Sequence, residues 1–272
     1  MSFVHLTRRM LLAAGLAGPG LAGPGLASAA QSPPSRTWII YEARLRARLE
    51  DAAGGRFDPA TARDLLTLSN AARTEAERPA LTWNTALAET ARAHAADLAA
   101  RNYVEHLSPE GFDPSHRLGL IGRRTIGSTS ENIAYSRAGQ PATSGKLMGL
   151  WRKSPRHWEN LLDRRHTEAG FGVTRLGDRA YAVGLYARPD GELAQDLAFR
   201  VSDEAQIVRS IAALPPRMTV TFVGDPMADS PGTRFGAETL VPPGVHQLRF
   251  ARRSADRPGV IDLLWGPIFM RS

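Results

Sequence analysis

Five of the seven histidines fall between positions 94 and 166: His94, His106, His116, His157 and His166. Imidazole is the side chain that most readily exchanges a proton near neutral pH or gives a lone pair to a metal. His94 lies among Leu87, Ala91, Ala95 and Leu98 at helical spacing, the setting of a core histidine. His116 follows Asp113-Pro114-Ser115 in what reads as a short exposed turn. His106 precedes the turn-forming Ser108-Pro109-Glu110-Gly111, and His157 falls in the first turn of a helix begun by Pro155. Loops and helix ends on a rigid scaffold are where sites are built. At a helix N-terminus the dipole also disfavours the imidazolium, leaving the neutral ring that binds metals.

Short-range metal signatures are missing: there is no His-Glu-x-x-His, no His-x-x-Glu-His and no EF-hand run. Any metal site must be assembled from distant segments. Nucleophile motifs of the Gly-x-Ser-x-Gly and Ser-x-x-Lys kinds are also absent, and no glycine-rich phosphate loop follows a strand. With no cysteine among 272 residues, disulfides, thiolate zinc sites and cysteine nucleophiles are excluded. The formal charge is +7, yet 32 of the 34 basic residues are Arg, with only Lys146 and Lys153 as lysines. That skew reads as compositional bias. The basic residues are scattered among 27 acids without a basic stripe, so no nucleic-acid partner is expected. No apolar run reaches the ~18 residues of a transmembrane segment.

Residues 1–30 read as an export signal to be set aside before fold reasoning. Thr7-Arg8-Arg9 precedes a weakly apolar stretch from Leu11 to Leu26 and the small residues Ala27-Ser28-Ala29. The paired arginines resemble a twin-arginine signal, and the expected location is the periplasm or the outside of the cell. Residues 31–36 read as a linker. Trp38, Tyr41, Leu45 and Leu49 then mark an amphipathic helix over 37–55, closed by Gly54-Gly55. Asp58-Pro59 starts a helix that runs to about Glu77, and a second, alanine-rich helix spans Thr85 to Asn102. Loops follow as far as Ser130, then a helix from Ala142 to Lys153 and a short one from Pro155 to Leu162. From Ala169 the period becomes two, and 170–174 with 180–186 make a hairpin. After Pro189-Asp190-Gly191 the pattern predicts a helix over Ser202–Leu214 and strands near 218–223, 245–250 and 260–265. Helices first and strands last mean an α+β fold, followed over 191–272 by a small, mostly β module.

An ordered series of motifs resembles the CAP superfamily of cysteine-rich secretory proteins, antigen 5 and pathogenesis-related group 1 proteins, in its bacterial form. The series runs Asn70, Arg73, Leu81-Thr82-Trp83, His94-Ala95, His106 through Gly111, Arg117 and Glu131-Asn132-Ile133-Ala134. It continues with Trp151, Ser154-Pro155, His157, Asn160-Leu161-Leu162 and Gly170-Phe171-Gly172-Val173. The resemblance covers about residues 62–188 within a domain spanning 58–190. It implies a three-layer α/β/α sandwich and an open groove lined by His and Glu. Carried over by position, Glu131 is the groove acid, with Ser130 where glycine is usual. His106 is the first groove histidine and His157 the one common in bacterial members. Ser154 stands where animal and plant members carry a glutamate. A second groove histidine falls at Arg165 in ungapped register, so His166 serves only if the register slips by one.

The set His106, Glu131, His157 and His166 is thus the candidate for a divalent metal, zinc by ligand chemistry. A small-molecule, lipid or cell-envelope ligand is the expected partner in the groove. Burying Glu131 unpaired is costly, so a cation or a donor must face it. Three functions follow: a binding module, a hydrolase acting through His106, Glu131 and His157 on peptide or cell-wall material, or a scaffold whose tail does the binding.

Overall fold

The computed structural model describes residues 35–137, 139–140, 142–214, 218–226, 232–235, 240–254 and 257–272. The export signal at 1–30 lies outside them. The chain begins with α1 (Ser35–Glu50), β1 (Arg56–Phe57), α2 (Pro59–Glu75), β2 (Thr82–Trp83) and α3 (Thr85–Arg101). Then come α4 (Pro114–Ile121), β3 (Thr125–Ile126), β4 (Thr129–Ser136), α5 (Ser144–Arg152) and α6 (Pro155–Leu161), followed by β5 (Glu168–Leu176) and β6 (Arg179–Ala187). The Asp58 carboxylate accepts from the Thr61 amide and Pro59 sits at the first helical position, which is why α2 starts there. Asn84 caps α3 in the same way, and Asn102 ends it in the left-handed conformation.

These elements form a three-layer sandwich. Its sheet runs β1-β5-β6-β4, with β2 paired in parallel to β5. On one face α3 packs Leu87, Ala91, Ala95 and Leu98 against Ile133, Tyr181, Val183 and Leu185. On the other, Leu65, Trp151 and Leu161 of α2, α5 and α6 meet Phe171, Ala182 and Tyr186. The period-two alternation along β6 therefore divides its side chains between two cores. Helix α3 lies directly on the backbone of β5. A Cβ at Gly170 would stand 2.1 Å from the Ala88 nitrogen, and one at Gly172 would stand 2.2 Å from the Arg92 nitrogen.

The rest of the chain comprises β7 (Gly191–Glu192), β8 (Arg200–Val201), α7 (Glu204–Ile211), β9 (Thr219–Gly224), β10 (Thr233–Arg234), β11 (Gly244–Arg253) and β12 (Ile261–Arg271). A second sheet runs β10-β9-β11-β12-β8, with its own core around Leu248, Phe250, Leu264 and Ile207. It remains joined to the sandwich, because β3 pairs with β7 and Ile268 packs among Trp38, Tyr41, Phe112 and Leu120.

Three local expectations are corrected. Helix α1 begins at Ser35 and ends at Glu50, so Gly54-Gly55 belong to the turn before β1 rather than to a helix stop. Residues 114–121, read as loop, form α4, capped by Asp113 with Pro114 in the first turn. Thr129 and Ser130, read as the end of a loop, open β4, which also contains Glu131, paired with Leu185. Both faces of β4 are covered, so its sequence lacks the alternation of a half-buried strand.

Candidate functional site

Strand β4 is the edge strand of the sandwich sheet, and its side chains alternate between the two helical layers. Glu131 and Ile133 face α3, while Ser130, Asn132 and Ala134 face α5 and α6. Four segments converge on the Glu131 carboxylate or its rim: α3, the loop from Asn102 to Asp113, the first turn of α4, and α6.

Glu131 is buried and both of its oxygens are engaged. Oε2 accepts from Arg117 Nη2 at 2.8 Å, and Oε1 lies 2.9 Å from His106 Nδ1. A carboxylate only accepts, so His106 Nδ1 carries the hydrogen and Nε2 is left for an outside partner. The His106 side chain is 53% exposed, whereas that of Glu131 is 1% exposed. Burial alone would raise the Glu131 carboxyl's pKa. The Arg117 charge, with smaller help from the His106 hydrogen bond, outweighs burial and holds it well below the usual carboxylate range.

Arg117 explains how such a group can be buried at all. The capping box formed by Asp113 and His116 starts α4, which places Arg117 one turn in and fully buried. Besides Glu131, its guanidinium donates to the Phe112 carbonyl at 2.9 Å and the His106 carbonyl at 3.0 Å. One side chain thus neutralises the carboxylate and ties both ends of the loop that carries His106. His94 stands below, with Nε2 donating to the Glu105 carbonyl at 3.2 Å and lying 3.8 Å from Glu131 Oε1. Burial first, then the Arg117 charge, pushes His94 down to about 3, so its ring is neutral.

His157 approaches from the other layer, in the first turn of α6. Its ring centre is 6.4 Å from that of His106, with the planes inclined at 57°. Burial, then the neighbouring His106, lowers its pKa. Its backbone is held by an amide chain: Asn132 donates to the His157 carbonyl at 2.8 Å, and Asn160 donates to Asn132 at 2.9 Å.

His166 lies in a different setting. Its Nε2 is 3.2 Å from both Ser130 Oγ and Asn160 Oδ1, and the ring stacks on Tyr186 at 5.6 Å. Burial pushes it down to about 4 against the pull of Asp163. Asn160 Oδ1 can only accept, so the Nε2 hydrogen is committed there. His116, read as an exposed turn residue, is part of the α4 cap, with Nε2 donating to the Pro226 carbonyl at 3.4 Å.

Among the described residues, no three histidines or acids stand close enough to share a metal ion. His106 and His157 are the pair whose rings come nearest to holding an ion between them. Two imidazoles on one ion, each nitrogen about 2.0–2.1 Å from it, place their ring centres roughly 5–6 Å apart. The His106–His157 spacing of 6.4 Å lies just beyond that range, so a side-chain rotation would have to bring the rings closer. An ion held between those rings would have Glu131 behind His106, not among its ligands. The cation or donor expected against Glu131, from His106, His157 or a metal, is supplied by Arg117 together with His106. The signal that sequence reasoning passed over was Arg117 itself, which the Asp113-Pro114 helix start would have placed one turn into a helix.

With helices on both faces of its mostly antiparallel sheet and the Glu131 cluster at edge strand β4, this part of the chain is an α/β/α sandwich domain. Residues 66–186 match the model of the cysteine-rich secretory protein family, CAP, and form a CAP domain. The chain is similar to the uncharacterized membrane protein YlbC of Bacillus subtilis (strain 168), 28% identical over 139 residues. That match takes in 50% of this chain and 39% of YlbC, so the chain spans well under half of that relative's length. Among solved structures, an outer surface protein from Borrelia burgdorferi superposes with a TM-score of 0.45 at 18% identity, over 50% of this chain and 99% of that one. An extracellular SCP-domain protein from Bacillus anthracis str. Ames gives 0.42 at 24% identity, over 48% of this chain and 41% of that one.

Proposed function

We propose that the protein is an exported, non-catalytic binding module whose CAP-domain groove holds a divalent cation between His106 and His157 and takes a small or lipid-like ligand beside it. The observation that carries this reading is the 2.9 Å contact between His106 Nδ1 and the Glu131 carboxylate. A carboxylate behind a histidine fixes its tautomer and ring orientation and raises its basicity as a ligand. Neutral His157 supplies the second imidazole. The cation, when bound, would offer a positive centre to an anionic or carbonyl group of the ligand. Val104 and Leu107, 41% and 54% exposed, flank His106 and give the rim an apolar surface. Export rests on Thr7-Arg8-Arg9 and the small residues at 27–29.

The hydrolase reading is weaker on physical grounds. A general base works best with a pKa near the operating pH, and Arg117 holds Glu131 far below that. Zinc titration by calorimetry decides between the readings. Wild type should bind one equivalent, His106→Ala and His157→Ala should lose binding, and Glu131→Gln should weaken it by about 10-fold. His166→Ala should leave affinity unchanged. A wild type that takes up no zinc, or affinities alike in all variants, would end the two-histidine proposal. Casein or peptidoglycan hydrolysis that vanishes in Glu131→Gln would install the hydrolase in its place.

A further inference from the structure

We infer that α1, which precedes the family-matched segment, is a positioning element of the groove, with Arg44 and Glu110 setting the loop that presents His106. This deepens the binding reading above, since it concerns the same histidine.

The loop from His106 to Phe112 is short and tightly closed. The Ser108 amide donates to the Phe112 carbonyl at 3.0 Å, and the Gly111 amide donates to the Ser108 carbonyl at 2.8 Å. Nothing in that closure fixes where the loop sits on the domain. Helix α1 does so by three residues on successive turns of one face. Trp38 and Tyr41 hold the fully buried Phe112 ring at 4.5 and 4.3 Å between centres, the second pair stacked at 20°. One turn further, Arg44 pairs with Glu110, whose carboxylate also takes Arg101 of α3 at 2.9–3.0 Å. Glu110 therefore bridges α1 and α3 from the middle of the loop. Arg46 adds a 3.0 Å donation to the Leu120 carbonyl at the end of α4, the helix that carries Arg117. Helix α1 thus grips the loop at Glu110 and Phe112 and α4 at Leu120, on either side of the Arg117–Glu131–His106 chain.

Arg44 and Glu110 have side chains 28% and 21% exposed, so replacing them should leave the fold intact. The test compares the full chain with Arg44→Ala, Glu110→Ala, Arg44→Lys and, as control, Arg257→Ala in the turn between β11 and β12. It reads His106 ring nitrogen shifts across a pH series by NMR, zinc affinity by calorimetry, and melting temperature. Arg44→Ala and Glu110→Ala should alter the His106 nitrogen shifts, as its Nδ1 hydrogen bond to Glu131 loosens. Zinc affinity should fall about 10-fold, the low end for a group acting behind a ligand. Arg44→Lys should restore both, and Arg257→Ala should match wild type. His106 shifts that are identical in all variants overturn the inference. So do changes that merely follow melting temperature and are shared by Arg257→Ala, since α1 would then be plain scaffold. If wild type binds no zinc, the cation reading fails while the His106 shifts still decide the role of α1.

Discussion

Replacing Arg117 with methionine tests whether the buried ion pair organises the site. The side chain is fully buried and its substitution leaves the Glu131 carboxylate enclosed without its main cation. Removing one partner of a buried pair costs about 3–5 kcal/mol, because the remaining charge is uncompensated. The donations to the Phe112 and His106 carbonyls are lost as well. We expect a loss of at least about 3 kcal/mol in urea unfolding at pH 7. Adding Glu131→Gln removes the stranded charge, so the double variant should be more stable than the sum of the single losses by more than about 1.5 kcal/mol. The pH dependence has a definite sign. In wild type the Glu131 pKa is depressed on folding, so its stabilisation is complete above the unfolded value near 4.3 and is lost as pH falls toward the folded value. In Arg117→Met, burial dominates and raises the carboxyl's pKa, so the gap to wild type should narrow as pH drops from 7 through that raised value. A loss under about 1 kcal/mol, additive effects in the double variant, or a gap that widens on acidification would refute the reasoning.

Two further expectations come from the fold and from the leader. Gly172→Ala places a methyl group 2.2 Å from the Arg92 nitrogen, so α3 must lift from β5; circular dichroism melts should show severe destabilisation, and a wild-type melting temperature would contradict the packing described. Replacing Arg8 and Arg9 with lysines should leave the protein inside the cell, as judged by fractionation, and normal export would point to an ordinary secretory signal.

The long elements were legible in the sequence because their signals are local. Asp58-Pro59 and Asn84 mark two helix starts through caps that act within three residues. The hairpin of β5 and β6 shows in its alternation and in the Gly177-Asp178 turn. Gly170 and Gly172 pointed to the family, but only the packing of α3 shows why no side chain fits there. Short α4 escaped, although Asp113-Pro114 repeats the signal at 58–59, because eight residues carry too little periodicity to separate a helix from a turn. His106, Glu131 and His157 could be singled out by residue type and motif order. Their roles could not, since a carboxylate's pKa and a histidine's tautomer depend on what lies within a few ångströms, not on neighbours in the chain. Only the tertiary structure brings Arg117 onto Glu131 across 14 positions and Arg44 onto Glu110 across 66. Those contacts make Glu131 a buried, paired acceptor that orients the His106 ring.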